Sequence, residues 1–432
     1  MNVLCIGYYD KFSRFFLQIK KKLKQQNRLS KLTIESTYFS GFLYGFIRWQ
    51  SCKWININAW IKAWKHHRYY QNHLYKNTIY KGFNIDELFL NQHATNHLKW
   101  QAMAYIDLFE KKLQNIDVLL MIGDLRLPFE IAKKIAFKNN IPVYFLEQGP
   151  FATTFIDTNG VNANANIRGY KPNSAYNKNK KDKVTAFLNR SKHKKYHRSP
   201  VYRGLDYLLE LLLKKTLFFP PDLKIDHPLF KNSSKQIAKK IFKTTEHPNK
   251  NVYLLICQVP YDVNMTHHSP HYNNHFDILR DVHQNLPEKS ILIVREHPVY
   301  SGKYEDNFYQ YIVSHENIYV DSSKNFTDVL NAADAVIVNN STVGLEAISH
   351  NKNVLVLANS YYDDSEICLK MNNRNELKEL LKEVLNYQPD QNKIIDFLHQ
   401  FFTKQVVEGF ITDKKLIAAD AVFQRIFEHY KH

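Results

Sequence analysis

The sequence predicts an α/β fold built on parallel sheets. Three observations carry this. Short apolar runs of strand length recur along the chain, each followed by a stretch with helical periodicity. The rhythm of the first half is repeated in the second. Five of these runs also end in small polar clusters, as in open α/β sheets, where ligands bind beyond the carboxyl ends of the strands.

Taken in order, residues 3–6 form the first strand and 12–25, rich in Lys, the helix behind it. Residues 116–122 (IDVLLMI) form a buried strand, which leads through Arg126, Leu127 and Pro128 into a helix at 129–138. Residues 141–146 (IPVYFL) follow at once and close a βαβ unit just before Glu147-Gln148-Gly149. In the second half, 251–257, 290–294, 335–338 and 353–357 read as strands, with a helix at 342–349 between the last two. No short-period repeat is present, so a solenoid is excluded.

At about 100–200 residues per domain, 432 residues make two or three domains. Pro220, Pro221 and Pro228 mark a connection, and the boundary is expected near residue 245. A hydrophobic share of 44% and a charged share of 23% exclude wholesale disorder. Lys+Arg 59 against Asp+Glu 41 gives +18, which favours anionic partners: nucleic acid, a membrane surface, or phosphorylated and carboxylated molecules. The four cysteines (Cys5, Cys52, Cys257, Cys368) form no CxxC pair, which excludes a disulfide framework and a zinc ribbon and suits a reducing compartment. The opening residues read as a first core strand instead of a signal peptide, and no apolar run approaches the ~18 residues of a membrane span, so a cytoplasmic protein is expected.

Two segments break the rhythm. Residues 38–70 hold four of the five tryptophans, Trp49, Trp54, Trp60 and Trp64, interleaved with Lys and Arg. Ile57, Trp60, Ile61 and Trp64 share a helical face, which reads either as core or as a face for a lipid surface. Residues 178–198 carry nine Lys/Arg against one acid, a solvated face or an anion-facing patch.

The polar strand ends supply the candidate chemistry. Asn340-Ser341-Thr342-Val343-Gly344 would present hydroxyls and free N–H groups at a helix start, an arrangement that serves either as a phosphate site or as plain capping. Glu346 lies one turn inside that helix, within reach of a ribose hydroxyl. In Arg295-Glu296-His297-Pro298 the proline holds His297 extended, free to donate to a phosphate or to move a proton. Asp124 and Glu147 end neighbouring strands and could act as general base and electrostatic stabiliser, or pair structurally, Asp124 with Arg126. His267, His268, His271 and His275 lack the companions of a metal site, and no metal is expected. Neither a GxGxxG fingerprint nor a P-loop occurs.

In order, Gly123-Asp124 with Arg126, Glu147-x-Gly149, Gln258-Val259 with Asp262 and His268-Ser269, His297-Pro298, then Asn340-Ser341-Thr342-x-Gly344 with His350-Asn351-Lys352 resemble the capsule polysaccharide synthesis proteins that act as β-Kdo transferases, the single-transferase kind in particular. The resemblance covers about residues 115–365. It implies two Rossmann-like domains facing across a cleft, the GT-B arrangement: 1–245 on the acceptor side, 246–385 binding the nucleotide, and helices at 386–432 packing back on the first. It also implies a CMP-β-Kdo donor, retention of configuration and no cofactor, since N–H groups, hydroxyls and a histidine can stabilise a departing CMP without a metal. Asp124, Glu147 and His297 would be catalytic, with Arg126 and Gly149 on the acceptor side. Gln258, Asp262, His268, Ser269, Arg295, Pro298, Asn340, Ser341, Thr342, Gly344 and Glu346 would hold the donor. The resemblance implies a (lyso)phosphatidylglycerol-type lipid or a Kdo-linker as acceptor, and the expected partners are this anionic glycolipid acceptor, the inner membrane surface and other capsule synthesis or export proteins, with no nucleic acid. A nucleotide-sugar epimerase of similar build and a basic membrane- or nucleic-acid-binding protein without activity are the alternatives.

Overall fold

A computed structural model describes residues 1–89, 94–190, 196, 198–213, 240–242, 249–260, 262–321, 325–363 and 366–428. The fold is mixed α/β with two sheet cores. The chain divides into two compact units: one of Met1–Val161, Ser191–Ile225 and Val406–His432, the other of Asn162–Arg190 and Asp226–Gln405. The boundary expected near 245, and Pro220, Pro221 and Pro228, lie outside the described residues.

The first unit is built on strands β1 (Asn2–Gly7), β2 (Lys31–Ser36), β3 (Cys52–Trp54), β6 (Val118–Ile122), β7 (Val143–Gly149) and β8 (Thr153–Asp157), with a small hairpin of β4 (Ile79–Tyr80) and β5 (Phe83–Asn84) beside them. Its sheet runs β15-β8-β7-β6-β1-β2-β3, where β15 (Val406–Glu408) comes from the end of the chain. The five strands β3, β2, β1, β6 and β7 are parallel, and β8 runs against both its neighbours. The order steps outward from β1 in one direction, then restarts at β6 in the other, so the topological switch point lies between β1 and β6. Helix Asp10–Gln25 packs Phe12, Phe15, Phe16 and Ile19 on one face of this sheet, together with Val422, Phe423 and Ile426 of the last helix. The strands at 3–6, 116–122 and 141–146 are found to within a few residues, but β7 continues through Gly149, so Glu147 stands inside a strand. The pairing of β8 with residues 145–149 extends it.

The second unit has a fully parallel six-stranded sheet in the order β11-β10-β9-β12-β13-β14. Its strands are β9 (Asn251–Ile256), β10 (Ser290–Arg295), β11 (Ile318–Val320), β12 (Ala335–Val338), β13 (Asn353–Val356) and β14 (Leu369–Lys370). The same reversal occurs here between β9 and β12. These strands are almost continuously apolar and buried, as a sheet covered on both faces requires.

Residues 162–190 are bound into this second unit by specific contacts. Arg168 makes a bidentate pair with Asp363, both bonds 2.9 Å, and Tyr170 donates to Asp396 at 2.6 Å. Phe187 stacks on Phe402 with ring centroids 4.0 Å apart. The described residues of the basic run 178–198 thus divide between the two units. Lys180 of helix Lys178–Leu188 pairs with Asp396 of the second unit, whereas Arg198 bonds Asp10 and Asp206 of the first, each at 2.6 Å.

The tryptophan helix falls between the two readings of its aromatic face. Helix Ile55–Lys65 buries Ile55, Asn56, Ala59 and Ala63, while Ile61 and Trp64 are 51% and 47% exposed. The small side chains let it approach helix Asn96–Leu113, and this turns the aromatic face outward. Trp64 lies 6.4 Å from Trp60, 6.3 Å from the buried Trp100 and 5.2 Å from His97, so the rings form a cluster at the edge of the core that is open to solvent at Trp64. All four cysteines are buried free thiols.

Candidate functional site

At the first unit's switch point, β1 ends in Tyr8-Tyr9-Asp10 and β6 in Gly123-Asp124. Gly123 takes φ +83°, a left-handed conformation that an L side chain resists. A Cβ there would lie 3.4 Å from the Tyr8 hydroxyl and 3.9 Å from Glu147 Oε2. The bare glycine thus lets the Glu147 carboxylate, from the next strand, lie against the turn that carries Asp124. Asp124 is buried, and its Oδ2 accepts the Val161 N–H at 3.3 Å. Arg126 stands just before helix Leu127–Lys138, its guanidinium 6.0 Å from the centre of the Tyr8 ring, and Tyr8 stacks on Phe129 at 4.7 Å. Two acids and a guanidinium therefore share one end of this sheet, the composition that proton transfer to or from a hydroxyl needs. Gly149 is packed tightly: a Cβ would meet Thr153 Oγ1 at 2.4 Å, so its role is to let β7 turn into β8.

Sequence reasoning missed two features here. Tyr8 and Tyr9 form the aromatic wall of this strand end, and burial pushes the Tyr9 phenol upward, holding it protonated. Arg198 lies 4.5 Å over the Tyr9 ring while bonding Asp10 and Asp206. The only sequence signal was a tyrosine pair directly after an apolar strand.

The second unit treats its switch point differently. Gln258, after β9, donates from Nε2 to Asn340 Oδ1 at 2.9 Å, and the Asn340 amide donates to the carbonyls of Asn264 (2.8 Å), Asn359 (3.1 Å) and His268 (3.4 Å). Asn340 is 3% exposed, so its amide fastens the connection after β9 and the connection after β13 to the end of β12. Ser269 donates to the Tyr272 carbonyl at 2.6 Å, and Asp262 caps the short helix Val263–Thr266. His268 is buried beside this network. His275 accepts the Gln258 N–H on Nε2 at 3.1 Å, and burial lowers it to about 3, so it is neutral and structural.

His297 is only partly buried. Its Nδ1 accepts the Val299 N–H at 3.3 Å, which assigns the proton of the neutral ring to Nε2 as a donor. Burial lowers its pKa, and the nearby Asp262 charge opposes this in part. The Tyr304 hydroxyl joins the two strand ends, accepting from His297 N and donating to Gln258 O, each at 3.1 Å. Pro298 is exposed beside His297, and Arg295 is ion-paired with Asp321. Ser341 and Thr342 remain partly exposed before helix Val343–Ser349, with Glu346 partly exposed in its first turn. Gly344 is explained by packing, since a Cβ would lie 2.1 Å from the Tyr362 hydroxyl, which itself donates to Ser341 O at 2.5 Å. In His350-Asn351-Lys352, the Lys352 ammonium donates to the Ala333 carbonyl at 2.8 Å, at the end of helix Phe326–Ala332.

Residues 173–368 match the capsule polysaccharide biosynthesis protein family. Protein FixF of Sinorhizobium fredii is 26% identical over 168 residues, 38% of this chain and 40% of its own length. The capsule polysaccharide export protein KpsS of Escherichia coli is 26% identical over 147 residues, 31% of this chain and 36% of its own. The chain thus spans about 40% or less of the length of these curated relatives. Among solved structures, the β-Kdo 2,7 transferase of Thermosulfurimonas dismutans KpsC aligns over 69% of this chain and 84% of that one, with 16% identity and a TM-score of 0.34. Through residues 173–368, this chain is related to the capsule polysaccharide biosynthesis proteins.

Proposed function

We propose that this protein is a GT-B-type glycosyltransferase of capsule polysaccharide synthesis that moves β-Kdo from CMP-Kdo, with retention, to an anionic lipid or Kdo-linker acceptor. The observation that carries this reading is that the family match at 173–368 spans Gln258, His297 and Asn340–Gly344, the polar strand ends of one sheet. The donor's leaving group is a CMP phosphate. His297 Nε2–H and the hydroxyls of Ser341 and Thr342 are suited to bind it, and the buried Gln258–Asn340 network holds their loops in place. On the acceptor side, Asp124 or Glu147 takes the proton of the attacking hydroxyl, whose oxygen bonds the anomeric carbon on the same face from which the CMP phosphate departs, so that the β configuration is retained. The remaining acid stabilises positive charge developing on the sugar, and Arg126 orients an anionic acceptor.

A lipid acceptor places the work at the inner membrane face. Among the described residues no helix is long and apolar enough to cross a membrane. The net charge of +18 and the exposed rings of Trp49 and Trp64 suit peripheral attachment. The test is release of CMP from CMP-Kdo with a panel of lipid acceptors and an acceptor-free control. Acceptor-dependent CMP release with a Kdo-lipid product supports the reading. Conversion of a nucleotide sugar without acceptor points to an epimerase, and inertness with every donor and acceptor overturns the proposal.

A further inference from the structure

An acid directly before His297 is unexpected beside a phosphate site, because a carboxylate repels the anion that the histidine would bind. Glu296 commits its charge to the loop that follows it. Its Oε2 accepts the Ser301 hydroxyl at 2.9 Å, and its Oε1 accepts the Gly302 N–H at 3.0 Å. Oε1 also accepts the Tyr309 hydroxyl.

That loop is two turns laid end to end. In the first, the Tyr300 N–H donates to the His297 carbonyl at 2.8 Å. Pro298 stands in the second position of this turn, where its fixed φ is favourable. In the second turn the Lys303 N–H donates to the Tyr300 carbonyl at 3.0 Å. Gly302 holds φ +76° in its third position, a conformation that suits glycine. Through Ser301 and Gly302, Glu296 braces this second turn against the end of β10.

The bracing then returns to His297. The Tyr309 hydroxyl, from helix Asp306–Ser314, donates to Glu296 and accepts the Tyr304 N–H at 3.3 Å. Tyr304 in turn accepts the His297 N–H on its own hydroxyl, which donates to the Gln258 carbonyl. Both tyrosines are buried, and Tyr304 packs against Phe308 and His275 with ring centroids 5.0 Å away in each case. The circuit leaves Glu296 by its side chain and closes on the next backbone N–H. Fixing the carboxylate therefore fixes the His297 backbone, and with it the contact from the Val299 N–H that keeps the ring proton on Nε2.

We propose that Glu296 is a positioning residue for His297: its carboxylate sets the two-turn loop so that the ring presents Nε2–H to the phosphate of a bound nucleotide. Its negative charge is taken up by three donors of the protein, so it does not oppose that phosphate. The assignment rests on the reading of His297 as a ligand of the donor phosphate, and the test separates the two.

The test combines calorimetric titration with CMP and heteronuclear NMR of the histidine-labelled full chain, at a pH where the ring is neutral. The His297 signals are identified by their loss in His297→Gln. The native chain should show one His297 tautomer, with the proton on Nε2. Glu296→Ala should populate both tautomers and weaken CMP by at least about tenfold. Glu296→Gln keeps an acceptor for Gly302 and Tyr309 and offers its amide to Ser301, so it should restore the single tautomer and bring affinity to within about threefold of native. If Glu296→Ala fails to fold, Tyr309→Phe decides: it keeps the ring, removes the hydroxyl between Glu296 and Tyr304, and should mix the tautomers with a loss of about threefold. The native tautomer in Glu296→Ala, or in Tyr309→Phe where that variant decides, overturns the proposal, even if stability or CMP affinity falls. Equal impairment of the alanine and glutamine variants overturns it too, since charge and not position would then be at work. A native chain that does not bind CMP overturns the donor reading instead, and the tautomer comparison still decides whether Glu296 positions His297.

Discussion

The two sheets reverse their strand order in the same way but furnish the reversal differently. In the first unit the switch point carries charge: Asp124 and Glu147 lie about the bare turn at Gly123, with Arg126 over Tyr8. In the second it carries neutral amides, Gln258 and Asn340, whose hydrogen bonds run inward to the connections after β9 and β13. One end gathers ionisable side chains, and the other spends its amides on holding connections still beside His297, Ser341 and Thr342. Equivalent places in a topology thus need not do equivalent chemistry, because topology sets where side chains converge and residue type sets what they can do there.

The sharpest break in this comparison is in the charged end. Asp124→Asn or Glu147→Gln should lower turnover by at least ~100-fold with donor affinity nearly unchanged, as measured by steady-state kinetics and CMP titration. Full activity in both amides would make the two switch points alike as structural clusters.

The neutral end should fail differently. Asn340→Ala removes an acceptor from Gln258 and donors from three backbone carbonyls, and should cost about 2 kcal/mol of stability in denaturant unfolding. A fully stable variant would mean that the loops are held by other contacts. By contrast, His297→Ala and Ser341→Ala should each leave the fold intact and weaken CMP binding by about 1.5 kcal/mol. Unchanged calorimetric affinity in both variants would remove the donor role from this end.

The smallest effect concerns pH. His275 is neutral when folded and titrates near 3, below the ordinary histidine value, so the unfolded chain binds the extra proton first. Its contribution is complete above the unfolded pKa and declines as pH falls from about 6.5 toward 3. Between pH 6.5 and 5.5 it should account for about 1 kcal/mol of lost stability, and His275→Gln should flatten that part of the profile. An identical slope in the variant would show that His275 is not the titrating group.

How much of this was legible beforehand differs between the units. The second unit's strands are continuous apolar runs, and β12 coincides with the span read from the pattern. Local patterning also pointed to His297 and Asn340, but it could not separate the partly exposed histidine from the asparagine consumed by internal bonds. In the first unit, Glu147 was read as following its strand, although pairing with β8 draws it inside. The tryptophans of helix Ile55–Lys65 were open to a core reading because aromatic rings outweigh alanines in any hydrophobic pattern. Close packing against a neighbouring helix favours Ala59 and Ala63 instead.

The sequence by itself determined the αβ rhythm, the positions of most strands, the polar character of their ends and the strong positive charge. Those features are written in local periodicity and composition. Only the tertiary structure decided that residues 162–190 belong with the second sheet and the chain's last strand with the first. It also decided that Gly344 answers to Tyr362, and that Asn340 is spent on holding loops. Each depends on partners more than ten residues away in the chain, and no local pattern encodes which distant group will meet a side chain once the sheets are assembled.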